Sequence, residues 1–148
     1  MLKNISRALC LLVVMLGAAC TDNPSAPLTF VGPANLVSTD LKVGDGAAVA
    51  SGQTATVHYI LWLYDPYGPE QKGALIQNSR QSGTGQPLAV VLQQGQVIQG
   101  WVEGVPGMRI GGTRRLVIPP SLAYGAAGNI NIPGNAWLVF DIDLLGVS

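Results

Sequence analysis

His58 is the single histidine of this 148-residue chain, and it stands beside Tyr59 in the run TATVHYILWLYD. An imidazole suggests acid–base chemistry or a metal, yet each needs partners. A tetrahedral zinc site takes about four ligands, and one histidine with no cysteine pair does not supply them. A histidine triad needs the ring turned into a site. On a strand, neighbours face opposite ways, so a core-facing Tyr59 sends His58 to the surface. Asp141 and Asp143, two apart on one strand face, suggest paired carboxylates, but with no third acidic residue nearby they read as a solvated edge. The glycines of GMRIGGT lack the lysine and spacing of a phosphate-binding loop, leaving a turn into a strand.

What remains is aromatic and aliphatic. Trp101 sits in the middle of VIQGWVEGVPGM, residues 97–108. Ile98, Trp101 and Val105 recur at three and four residues and share one helical face, while Gln99 and Glu103 point elsewhere. Gly95 and Gly100, then Pro106 and Gly107, limit this helix to about two turns, too short to hold without packing on a sheet. Buried tryptophans mostly just fill cores. A pocket of such groups otherwise suits a ligand whose chemistry needs no acid, base or metal.

The elements that must carry this ring are strands. Residues 36–43 alternate and end in a GDG turn. In residues 54–65, Ala55, Val57, Tyr59, Leu61 and Leu63 share one face; Ile60 and Trp62 interrupt the polar face, so its far end is covered too. Residues 65–73 read as a loop, 74–76 as a short strand, 77–86 as a polar loop and 88–92 as an apolar strand. TRRLVIPP is a strand stopped by its prolines, with Arg114 and Arg115 on opposite faces. SLAYGAAGNINIPGN is loop. Residues 136–145 form a buried strand with Leu138, Phe140, Ile142 and Leu144 on one side. The sum is an α+β domain, an antiparallel sheet with one short α-helix across a face.

Composition allows one domain with a real core. Charged residues are only 11% and the formal charge is zero, which argues against nucleic acid as a partner. Lys3 and Arg7 followed by an uncharged stretch over residues 8–19 read as a signal peptide, too short to span a bilayer. LGAAC resembles a bacterial lipoprotein cleavage site, with Cys20 the lipidation point. Leu16, however, stands four before the cysteine where three is usual, so cleavage near Ala19 and a soluble secreted or periplasmic product is the other reading. Cys10 leaves with the signal, so Cys20 has no disulfide partner. The mature chain then carries six basic and eight acidic side chains, a net charge of −2. Residues 20–34, with three prolines, read as an extended tether, and Phe30 and Val31 as its first contacts with a domain over residues 35–148.

The strings TVHY, GQVIQGWVEGVPGMRIGGTRRLVIPPSLAYG and IPGNAWLVFDIDLL resemble, in order and at matching intervals, the FKBP-type peptidyl-prolyl cis-trans isomerases. The likeness covers residues 35–148 and implies a curved antiparallel sheet wrapped around a short helix. It implies Trp101 as a floor under a prolyl ring, and Tyr59, Phe140 and Ile132 as walls. Val97 and Ile98 become the rim, with the Ile98 N–H offered to a substrate carbonyl, and Tyr124 offers its hydroxyl to another. Ile76, Gln77 and Leu88 take places where the family favours phenylalanine, aspartate and phenylalanine, and Ile60-Leu61 replace Thr-Gly. The loop at 129–132 is shortened. Gln77 is still able to accept a bond from Tyr59, without the charge. The implied activity is isomerisation of X-Pro bonds in proline-containing polypeptides, weakened by these replacements, with no metal or cofactor. The chain is expected to be monomeric, at the cell envelope, and to touch membrane only through a lipid anchor. The alternative is a non-catalytic module that holds proline-containing or unfolded segments.

Overall fold

The computed structural model describes residues 30–148. The expected signal peptide, the expected lipidation point Cys20 and the part of the expected tether before Phe30 lie outside the described residues. Six strands make one antiparallel sheet: β1 (Val37–Lys42), β2 (Thr54–Tyr64), β3 (Lys72–Asn78), β4 (Leu88–Val91), β5 (Thr113–Ile118) and β6 (Leu138–Val147). The order is β1-β5-β6-β2-β3, with β4 also paired to β2. One α-helix, α1 (Gln99–Gly104), crosses a face of the sheet, and 3₁₀ turns occupy Pro69–Gln71 and Pro120–Leu122.

The period-two pattern places the core. Ala55, Val57, Leu61 and Leu63 of β2 join Leu138, Phe140, Ile142 and Leu144 of β6, with Trp101 and Val105, in the main cluster. The opposite face carries a smaller cluster, Tyr64, Val117 and Val139, with Trp62, Trp137 and Phe30 against it. Phe30 meets Tyr67 edge-on at 5.9 Å, and the Trp137 indole N–H donates to the Pro33 carbonyl at 2.9 Å. Val31, by contrast, is 80% exposed.

A tight approach sets the helix height. A Cβ on Gly100 would stand 2.5 Å from Ile118, and one on Gly104 2.7 Å from Leu116. The two glycines, four apart, form the helical stripe that presses on β5. Alanine is the better helix former by about 1 kcal/mol, but overpacking a filled core costs about 1–3 kcal/mol. Gly100→Ala is therefore expected to destabilise, by about 1–2 kcal/mol, read as a lower urea midpoint at unchanged slope.

Three expectations are corrected. His58 is not a surface residue: it is buried, and the hydroxyl of Ser79, just past the end of β3, lies 3.0 Å from its ring nitrogen. Asp141 and Asp143 are not on an edge, since β6 lies between β5 and β2, and both are ion-paired. Gln77 and Asn78 belong to β3 rather than a loop, held by pairing with Leu61 and Ile60. Strand β3 also begins earlier than expected, at Lys72, and the last strand runs Leu138–Val147.

Candidate functional site

Three elements bring three rings together on the helix-bearing face. β2 supplies Tyr59, β6 Phe140 and α1 Trp101. Tyr59 and Trp101 meet edge-on at 5.5 Å and Trp101 and Phe140 edge-on at 5.4 Å, while Tyr59 and Phe140 lie tilted at 5.9 Å. Each ring thus buttresses the other two, a geometry that the ring quadrupoles favour. Trp101 is 3% exposed, and its indole N–H is buried without an acceptor among the described residues.

Above these rings opens a cavity of about 550 Å³. Leu88, Val90, Val97 and Ile98 line it together with Tyr124, Gln77 and the three rings. Ile98 is the N-cap of α1. Its N–H therefore belongs to the helix-terminal donors that have no intrahelical acceptor. Tyr124 follows the 3₁₀ turn at Pro120–Leu122 and is fixed by its own backbone, since its carbonyl accepts from Gly128 at 3.1 Å. Burial pushes the Tyr124 hydroxyl above its ordinary titration range, and burial followed by the nearby Tyr124 does the same to Tyr59. Both hydroxyls keep their protons at neutral pH and stay hydrogen-bond donors.

Two residues named from the sequence stand elsewhere. Ile76 packs against the main core, and Ile132 is buried within it; neither lines the cavity. Gln77 does line it, yet among the described residues no hydrogen bond joins it to Tyr59, so the expected acceptor is not engaged. Sequence reasoning missed Leu61, Val90, Gly95 and Gln96 as lining. Leu61 was findable, because it lies two residues from Tyr59 on the same face; it fills space where the resembling family favours glycine. Gly95, at φ +84°, turns the chain into the rim and gave only a turn signal.

An antiparallel sheet thus grips a six-residue helix beside an aromatic-floored cavity lined mainly by apolar side chains. Residues 46–145 match the FKBP-type peptidyl-prolyl cis-trans isomerases, and the chain belongs to that family. It is 41% identical over 115 residues to the FK506-binding protein of Neisseria meningitidis serogroup A, covering 76% of this chain and 96% of that one. It is 42% identical over 108 residues to FK506-binding protein 4 of Emericella nidulans, covering 73% of this chain but only 20% of that protein's length. The crystal structure of FkpA from Escherichia coli superposes with a TM-score of 0.65 at 40% identity, over 76% of this chain and 48% of FkpA. Among the described residues no helix is long and apolar enough to cross a membrane.

Proposed function

We propose that the chain is a peptidyl-prolyl cis-trans isomerase acting on X-Pro bonds of secreted or envelope polypeptides. The observation that carries the reading is the mutual contact of Tyr59, Trp101 and Phe140 at the base of a cavity whose titratable lining groups are two tyrosines held neutral. The barrier to rotation, about 18–20 kcal/mol, comes from amide resonance, whose planar form is charge-separated and favoured by water. Inside an apolar cavity that solvation is lost, and the twisted amide, with its charge less separated, becomes relatively easier to reach. X-Pro bonds suit this chemistry because their cis form lies only about 0.5–1 kcal/mol above trans. The prolyl ring rests on the indole of Trp101, with Tyr59 and Phe140 beside it. The Tyr124 hydroxyl and the Ile98 N–H orient the flanking carbonyls. No proton leaves the protein and no covalent bond forms.

Activity is reduced by what stands at the wall. A carboxylate facing Tyr59 makes a charge-assisted bond worth about 1 kcal/mol more than a neutral amide offers. Gln77→Asp is therefore expected to raise kcat/KM about fivefold in a proline-limited refolding assay. An unchanged rate removes the missing carboxylate from the account. Failure of the native protein to accelerate that refolding, while it still suppresses aggregation of a proline-free client, favours the non-catalytic binding module instead. The chain acts as a monomer held at the envelope by a lipid on Cys20. Mass spectrometry of the mature N-terminus tests the anchor, and an unacylated terminus leaves the soluble form.

A further inference from the structure

Tyr59 forms a wall of the cavity, and its backbone is held on one side by a single residue. Its N–H donates to the Ser79 hydroxyl oxygen at 2.8 Å, and its carbonyl accepts from the Ser79 N–H at 3.0 Å. Ser79 therefore takes the place of a ladder partner where β3 has ended. The same hydroxyl oxygen lies 3.0 Å from Nδ1 of His58, and both side chains are buried.

Counting protons fixes the direction of that last bond. A serine hydroxyl has one proton to give and two lone pairs. The Tyr59 N–H takes one lone pair. If His58 Nδ1 carried a proton, it would take the other, and the Ser79 proton would be left buried with no acceptor among the described residues. If Nδ1 is bare, the hydroxyl donates to it and Ser79 is fully paired, while the Nε2–H has no protein acceptor among the described residues but is not fully buried. We infer that His58 and Ser79 are a positioning pair for Tyr59, with neutral His58 in the Nε2–H tautomer, and that protonating His58 loosens this wall of the cavity.

The charges around the ring are compensated. Asp143 pairs directly across from His58 on β6 and is held by Arg80 at 2.6 Å and by the Thr113 hydroxyl at 2.6 Å. Asp141, two pairs further along, is held by Arg115 and Lys72. The residues of β4 that pair with β2 bring only aliphatic side chains. Both carboxylates already carry cations, so neither is an uncompensated charge beside the ring.

The inference rests on the isomerase reading for its consequence, but its first test does not. Nitrogen NMR of the native protein at neutral pH is expected to show Nε2 protonated and Nδ1 bare. A protonated Nδ1 overturns the pair. On acidification the Tyr59 amide is expected to lose protection from hydrogen exchange in step with the His58 titration followed in the same samples. The isomerisation rate is expected to fall about three- to tenfold over that interval, the size of loss a slightly misplaced wall produces. Ser79→Ala should show the lower rate at every pH. His58→Asn, whose side-chain oxygen stands near the place of Nδ1, should keep the neutral-pH rate and flatten the profile. An unvarying Tyr59 amide through the His58 titration, or a His58→Asn profile as steep as the native one, overturns the coupling. A protein without isomerase activity leaves the tautomer and exchange tests intact and sinks only the functional reading.

Discussion

Trp101→Ala is expected to lower kcat/KM for a proline-containing peptide by about 10–100-fold and to cost about 3–5 kcal/mol of stability. Both follow from one ring. The stability term is the usual cost of emptying a large core side chain, since Trp101 is 3% exposed and packed against Tyr59 and Phe140. The kinetic term follows because each of those edge contacts is worth about 0.5–1.5 kcal/mol, and without them the floor and both walls shift together. Trp101→Phe separates the two terms. It keeps an aromatic surface and removes the buried indole N–H that has no acceptor among the described residues, an unpaired group that itself costs about 1–3 kcal/mol. It is therefore expected to be much milder in stability than alanine and to retain most of the turnover. The measurements are a urea midpoint and proline-limited refolding, the latter run where each variant is fully folded. A folded Trp101→Ala that accelerates refolding as the native chain does would falsify the placement of the prolyl ring on this indole.

How much of this was legible depends on how far apart in the chain the causes lie. The face of α1 was readable from Ile98, Trp101 and Val105 alone, and the faces of β2 and β6 from alternation, because those signals are local. The second cluster on the outer face was foreshadowed by Ile60 and Trp62 breaking the polar alternation. Pairing was not readable. Nothing within residues 136–148 says that β6 lies between β5 and β2, so Asp141 passed for an edge residue until Arg115 and Lys72, 26 and 69 residues away, were seen to meet it. His58 is a like case, since the Ser79 hydroxyl that meets its ring lies 21 residues on. Two other features needed coordinates. The four-residue spacing of Gly100 and Gly104 acquires meaning only when Ile118 and Leu116 are found against it. Ile132 came by resemblance and lies in the core, because its N–H and carbonyl are both turned onto Asn129, closing the loop on itself.

Removing Asp141 tests the face of the sheet that does no chemistry. Its carboxylate accepts from Arg115 at 2.7 and 2.9 Å and from Lys72 at 2.7 Å, while Glu70 bridges the same two cations from the loop between β2 and β3. Glu70 and Gln71 lie in the left-handed region, at φ 55° and 62°, so the network holds a loop conformation that ordinary side chains resist. Burial pushes the Asp141 carboxyl up, but the hydrogen bonds from Arg115 and Lys72 outweigh it and leave the group below its ordinary value. A carboxylate depressed in the folded state stabilises fully above its unfolded value of about 3.9, and that contribution is lost as pH falls through the folded value. Asp141→Asn is expected to cost about 2–4 kcal/mol at pH 7. The figure stays under the full cost of stranding buried charges because Glu70, 62% exposed at its side chain, still faces both cations. The variant is also expected to flatten the acid limb, so that urea midpoints of native and variant proteins converge as pH drops below about 4. Parallel midpoints from pH 7 to pH 3 remove the network from the acid response. Because Phe140 and Ile142 on either side of Asp141 point to the helix-bearing face while Asp141 does not, kcat/KM of the folded variant at pH 7 should stay within about twofold of native, as for a site across the sheet with no shared partners.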